Sequence, residues 1–180
     1  MRYMILSDTH GALPPLEAAL SLFQSERCDL LLLLGDILNY GPRNGLPSGL
    51  DPQAVAQRLN SMADKIVAVR GNCDSEVDQM LLQFPIMSDY ALVVDGQRRL
   101  FLTHGHIYNK ENRPPLKCDF FFTGHTHLWE IDEKEGIVFC NSGSVTFPKN
   151  GNEPTVVIYD DGQLRILNLK GDVIGRYTAG

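Results

Sequence analysis

Five short polar clusters in this chain carry side chains of the kind that hold metal ions. They are Ser7-Asp8-Thr9-His10-Gly11, Gly35-Asp36, Arg70-Gly71-Asn72-Cys73-Asp74, Thr103-His104-Gly105-His106 and Gly124-His125-Thr126-His127. Carboxylate, imidazole and amide carbonyl, with no thiolate required, suit borderline to hard divalent ions such as Mn²⁺, Fe²⁺, Ni²⁺ or Zn²⁺. Asp8, His10, Asp36, Asn72, His104, His125 and His127 are the candidate ligands. They are too many for one tetrahedral ion and fit two ions that share a bridging carboxylate. Each cluster is weak alone, since Gly-Asp is an ordinary turn and Gly-Asn can cap a helix. The weight lies in the set. Within 8–10 and 125–127, residues two apart on an extended strand face one way, so both members of each pair would aim at one centre. Gly11, Gly35, Gly71, Gly105 and Gly124 beside them permit conformations and approaches that a Cβ would block.

Such clusters need elements that bring them together, and each follows an apolar stretch. Residues 3–6 and 30–34 are continuous apolar runs, as expected of strands covered on both faces, and 66–69 and 120–123 read the same way. Leu13-Pro14-Pro15 suits a first helical turn, and Leu16, Leu20 and Phe23 then line one face. Val55, Leu59 and Met62 mark a second amphipathic helix, while 39–52 is Gly- and Pro-rich loop. Asp74 and Ser75 are placed to cap a short helix bearing Val77, Met80 and Leu81. The second half reads as mostly strand. Asp95-Gly96 and Asp161-Gly162 predict hairpins, and Gly136 a turn between Ile131 and 137–139. This order, βαβα and then β, predicts two packed sheets with helices outside, in one domain over residues 1–180. In open α/β sheets the carboxyl ends of the strands converge on one crevice, which would unite the clusters.

Composition narrows the function classes. The chain has 180 residues, 43% of them hydrophobic and 21% charged, enough for one core without staples. Its net charge of −6 and the lack of any basic run argue against duplex nucleic acid, which needs clustered cations. Cys28, Cys73, Cys118 and Cys140 have neither zinc-ribbon nor disulfide-framework spacing. The start of the chain has no long apolar region, and the densest apolar run, 30–34, is far too short for a bilayer. A cytoplasmic protein with reduced thiols and no membrane contact is the expectation.

The series Asp8-x-His10, Gly35-Asp36, Gly71-Asn72, Thr103-His104-Gly105 and Gly124-His125-x-His127 resembles the calcineurin-like metallophosphoesterases. Within them it is similar to the small bacterial phosphodiesterases of the YfcE type, including Arg70-Gly71-Asn72-Cys73-Asp74 and the loop Tyr40-Gly41-Pro42-Arg43-Asn44. The resemblance implies an α/β fold, a four-layer αββα sandwich of two mixed β-sheets flanked by helices. It implies that Asp8, His10 and His127 hold one ion, that Asn72, His104 and His125 hold another, and that Asp36 bridges them. Manganese is the expected metal, with zinc, iron and nickel compatible. A small phosphodiester is the expected substrate, attacked by a hydroxide held between the ions.

Two departures from the family pattern stand out. The family usually has His after Gly-Asn, where it assists the leaving oxygen; here Cys73 takes that place, a poorer donor or an inert small residue. The second motif, Gly35-Asp36-Ile37-Leu38-Asn39, lacks the usual later Asp, so Asn39 is expected to face the site. Asn72 and Cys73 are the catalytic candidates, and Asn39, Arg43 and His106 the substrate-binding ones, with Arg113 and the loop 107–116 also expected at the rim. The rival readings are a protein-binding scaffold like the related retromer subunit, and a phosphomonoesterase or nucleotide pyrophosphatase. Self-association is left open.

Overall fold

The first three strands alternate with helices, and the last eight run with no α-helix between them. The structure, a computed structural model, describes residues 1–178. In chain order the elements are β1 (Arg2–Leu6), α1 (Leu13–Ser25), β2 (Leu30–Leu33), α2 (Pro52–Asn60), β3 (Ile66–Ala68) and α3 (Glu76–Leu81). Then come β4 (Tyr90–Asp95), β5 (Arg98–Thr103), β6 (Phe120–Thr123), β7 (Trp129–Lys134), β8 (Ile137–Ser142), β9 (Thr155–Asp160), β10 (Gln163–Asn168) and β11 (Val173–Tyr177). Two mixed sheets result, a 6-stranded one in the order β11-β10-β9-β1-β2-β3 and a 5-stranded one in the order β4-β5-β6-β8-β7. Strands β1, β2 and β3 are parallel, because helical crossovers return the chain to the same end of the sheet.

The apolar runs are explained by burial on two sides. Met4, Leu6, Leu31 and Leu33 face Leu16, Leu20 and Phe23 of α1 and Val55 and Leu59 of α2. The alternate residues Tyr3, Ile5 and Leu32 face the second sheet, meeting Leu100, Leu102, Phe120, Phe122 and Val138. The expected fold class is therefore the observed one. On the far face of the second sheet, Phe101, Phe121 and Phe139 are covered by Tyr108 and Cys118, on irregular chain rather than a helix. The turns behave as read: Asp161 and Gly162 both have positive φ, 46° and 83°, the geometry of a tight hairpin between β9 and β10.

Two details differ from expectation. Strand β11 has no counterpart in the sequence reading, being short, half-buried and interrupted by Gly175. Helix α3 does not turn its apolar residues inward: Val77, Met80 and Leu81 are exposed, and the chain after it, Leu82, Phe84 and Ile86, enters the core instead. Ser75 caps α3, its backbone N–H and hydroxyl both donating to the Asp78 carboxylate, while Asp74 serves elsewhere.

These placements predict opposite outcomes for two truncations. Leu32→Ala, between the sheets, should lower stability by about 2–5 kcal/mol. Met80→Ala should change it by less than about 0.5 kcal/mol. Urea unfolding of both variants measures the contrast, and equal midpoints would contradict the packing described.

Candidate metal centre

The polar clusters sit where β1, β2, β3, β5 and β6 end, and the pairing of β1 with β2 continues past the strands into them. The Asp8 N–H donates to the Gly35 carbonyl (3.1 Å), the His10 N–H to the Asp36 carbonyl (2.9 Å) and the Gly11 N–H to the Ile37 carbonyl (2.9 Å). The backbone is not extended there. Asp8, His10, Asp36, His125 and His127 have φ of 60°, 50°, 54°, 66° and 63°. The expectation that 8–10 and 125–127 face one centre through strand alternation is therefore corrected. A left-handed residue at each position aims the donors, and Asp and His accept that region more readily than branched residues do.

Close approach is enforced by glycine. A Cβ on Gly71 would lie 2.0 Å from Asp36 Oδ1, and one on Gly124 would lie 2.0 Å from Ser7 Oγ. The loops are tied together by Asp74, a buried carboxylate missed as a functional residue by sequence reading, which treated it as a helix cap. Its Oδ2 accepts from the Asp36 and Gly71 N–H groups (both 2.8 Å) and its Oδ1 from the Ile37 N–H (2.9 Å). Burial raises the Asp74 carboxyl to about 6, against those three backbone bonds.

Three histidines are locked in one tautomer. Nδ1 of His10 faces the Asn39 carbonyl (2.8 Å), that of His104 the Leu34 carbonyl (2.7 Å) and that of His127 the Phe147 carbonyl (2.7 Å). A carbonyl can only accept, so Nδ1 carries the proton in each, and Nε2 is free to act as a donor atom for a cation. His10 Nε2 lies 3.4 Å from Asp8 Oδ1 and 3.7 Å from Asp36 Oδ2, while His127 Nε2 is 3.1 Å from Asp8 Oδ1. His104 Nε2 lies 3.6 Å from Asp36 Oδ2 and 3.1 Å from Asn72 Oδ1. The His125 ring is 5.0 Å from that of His104, and the His125 N–H donates to Asp8 Oδ2 (3.1 Å).

This arrangement fits cations. Asp8 Oδ1 and His10 Nε2 are buried without a hydrogen-bond partner, two lone pairs turned toward each other. Donor atoms of Asp8, His10 and His127 fall within 4.8 Å of one another, as do those of Asp8, Asp36 and His104. Burial opposes ionisation of the Asp8 carboxyl, yet the facing His10 and His127 hold it well below the usual carboxylate range. Burial likewise lowers the His10 imidazole, and Asp8 outweighs it and raises it. Protons and a cation compete for this space.

A cleft of about 930 Å³ opens over these groups, bordered by Asp36, Asn39, Arg43, Asn72, Cys73, His125, His127 and Lys149 among others. Lys149 was not singled out from the sequence, where it is one more surface cation. Asn39 lines the cleft, but its side-chain oxygen accepts from the Gly41 N–H (2.9 Å). Arg43 is exposed on the rim. Cys73 donates its backbone N–H to Asp36 Oδ1 (2.8 Å), and burial together with the Asp36 charge pushes its thiol up to about 12.

Two of the residues expected at the rim lie away from the cleft wall. His106 is absent from the cleft wall; its ring packs 5.3 Å from that of His104, with Nδ1 buried and unpartnered. Burial, then His104 and His125, push it down to about 4. Arg113 is on the far face of the second sheet, paired with Glu135 (2.9 Å) and stacked over Phe139, so it does not reach the cleft.

The role of Asp74 gives a direct test. Asp74→Ala would strand three buried N–H groups, each worth about 1–3 kcal/mol, so the total loss should exceed about 3 kcal/mol. Metal affinity should fall about 10–100-fold as Asp36 loses its support. Urea unfolding and metal titration read both, and a variant matching the parent in each would remove Asp74 from this role.

Comparison with known proteins agrees with the geometry. The profile of the calcineurin-like phosphoesterase superfamily domain matches residues 1–162. Phosphodiesterase YfcE of Escherichia coli strain K12 is 47% identical over 175 residues, covering 97% of this chain and 95% of that protein. The solved structure of the E. coli YfcE phosphoesterase superposes with a TM-score of 0.94 at 45% identity, covering 98% of each chain. Vps29 of Entamoeba histolytica, solved with zinc, shares the fold at a TM-score of 0.69 and 20% identity, again with 98% of each chain covered. With lone-pair donors clustered at the strand ends of two mixed sheets, and relatives of this kind along its length, the chain belongs to the calcineurin-like phosphoesterase superfamily.

Proposed function

We propose that this protein is a metal-dependent phosphodiesterase acting on a small phosphodiester. The observation that carries the reading is the facing pair of buried, unpartnered donors, Asp8 Oδ1 and His10 Nε2, under an open cleft. Asp8, His10 and His127 would hold one divalent ion, Asn72, His104 and His125 a second, and Asp36 would bind both. Manganese is the metal we favour, since the set is carboxylate, imidazole and amide without a necessary thiolate. When bound, such ions neutralise phosphate charge and lower the pKa of water, making a nucleophile available near neutral pH.

The chain's own groups divide the remaining work. Asn72, which lines the cleft, would bond a phosphate oxygen, and Arg43 and Lys149 add positive charge at the rim. The family pattern has a proton-donating His at the position of Cys73, and a thiol that holds its proton so firmly would donate poorly. Esters of acidic alcohols, which leave without protonation, are therefore the favoured substrates. Retention of all seven donors supports an enzyme over a binding scaffold. Among the described residues no helix is long and apolar enough to cross a membrane. A cytoplasmic setting suits four cysteines that are all unpaired.

Hydrolysis of bis(p-nitrophenyl) phosphate tests the reading. We expect turnover with added Mn²⁺, loss in excess chelator, and a fall of at least about 10²-fold in Asp36→Asn. Turnover that persists in chelator would overturn it, and faster hydrolysis of p-nitrophenyl phosphate or of nucleotide pyrophosphates would reassign the substrate class. For Cys73→His we expect a gain of about tenfold on a diester with an alkyl leaving group, larger than the gain on the nitrophenyl ester. An unaltered ratio between the two substrates would remove Cys73 from leaving-group chemistry.

A further inference from the structure

Cys73 puts a sulfur atom next to two of the oxygen and nitrogen donors. Its Sγ, an imidazole nitrogen of His10 and an Asp36 carboxylate oxygen all lie within 4.8 Å of one another. One ion with bonds of about 2.0–2.3 Å spans that spacing. His10 is fully buried, and its Nε2, 3.7 Å from Asp36 Oδ2, has no hydrogen-bond partner, so its lone pair is unclaimed. The sulfur itself is held in place. The Cys73 N–H is bonded to Asp36 Oδ1 (2.8 Å), and across the cleft a Cβ on Gly41 would come within 3.0 Å of Sγ. Among the described residues the one donor reaching Sγ is the Asn72 amide at 3.2 Å, a weak neutral contact that a metal bond would displace readily.

We infer that Cys73, His10 and Asp36 form a second coordination mode at the metal centre, one that captures thiophilic ions such as Zn²⁺ or Cd²⁺ through sulfur. The inference rests on the metal-binding reading above and adds a consequence for metal choice. Zinc and cadmium accept thiolate, whereas manganese prefers oxygen and nitrogen. On capture the S–H bond breaks, its proton passes to the buffer, and the sulfur lone pair forms the new bond to the ion; nothing is oxidised or reduced. His10 has one lone pair to give. An ion held by Cys73 and His10 therefore takes that imidazole from the Asp8-His10-His127 set, and soft and hard ions compete for the same side chain.

Cobalt substitution tests this without relying on turnover. Co²⁺-loaded protein should show thiolate-to-cobalt charge-transfer absorption in the near ultraviolet. The band should persist in Cys118→Ser, whose thiol is on the far face of the second sheet, and vanish in Cys73→Ser. Zinc affinity should fall at least about tenfold in Cys73→Ser, manganese affinity by less than about twofold, and the parent should release one more proton per zinc bound. Cobalt binding without the band, or a band that survives Cys73→Ser, would overturn the sulfur mode while leaving the metal centre intact. Failure of the parent to bind cobalt at all would remove both. Should Cys73→Ser not fold, alkylation of Cys73 in the unaltered protein decides by peptide mass spectrometry. Protection by Cd²⁺ supports the mode, and equal rates with and without Cd²⁺ overturn it.

Discussion

Two carboxylates buried side by side are the constraint around which the molecule is organised. Asp8 is 0% and Asp36 2% exposed, and no Lys or Arg pairs with either among the described residues. A buried anion without compensation is strongly unfavourable, and two close together more so. Backbone N–H groups from Cys73 and His125 supply partial compensation. Bound cations would supply the rest. The strand order, the locked imidazoles and the glycines that let loops touch all serve to keep this charge imbalance in place.

The left-handed backbone at five donor positions is a second expression of the same constraint. Each non-glycine residue in that region stores on the order of 1 kcal/mol of strain. The strain is held by hydrogen bonds between loops rather than within them, with Asp74 binding the second and third loops and Ser144 donating to the Asp8 carbonyl. The fold thus gives up stability where the donors are aimed and recovers it in the layer between the sheets, where Tyr3, Ile5 and Leu32 meet Leu100 and Phe122.

Much of this was legible in the sequence, for reasons that are physical. Continuous apolar runs such as 30–34 suit strands covered on both faces, and polar clusters at the carboxyl ends of such strands converge, so the sheets and the donor set could be read together. Backbone handedness at Asp8 or His125 is only weakly marked by residue type, and the two-residue spacing looked like strand alternation. Val77 and Met80 have helical spacing, yet the core beneath them is claimed by the next segment, through Leu82, Phe84 and Ile86. Arg113 and Lys149 are alike as isolated cations; only tertiary structure puts one over Phe139 and the other beside His127. Asp74 read as a cap because its true partners, the N–H groups of residues 36 and 37, are far away in sequence.

The donors are shared out between the sheets. Asp8, His10, Asp36 and Asn72 follow strands of the first, and His104, His125 and His127 follow strands of the second. Ions seated among them would rivet the two halves of the sandwich at one end, where the apolar filling gives way to polar chain. Because only the assembled fold offers all seven groups, the native state would gain stability by mass action as ion concentration rises. A cell's supply of divalent metal would then set the lifetime of this protein against proteases as well as its catalytic state.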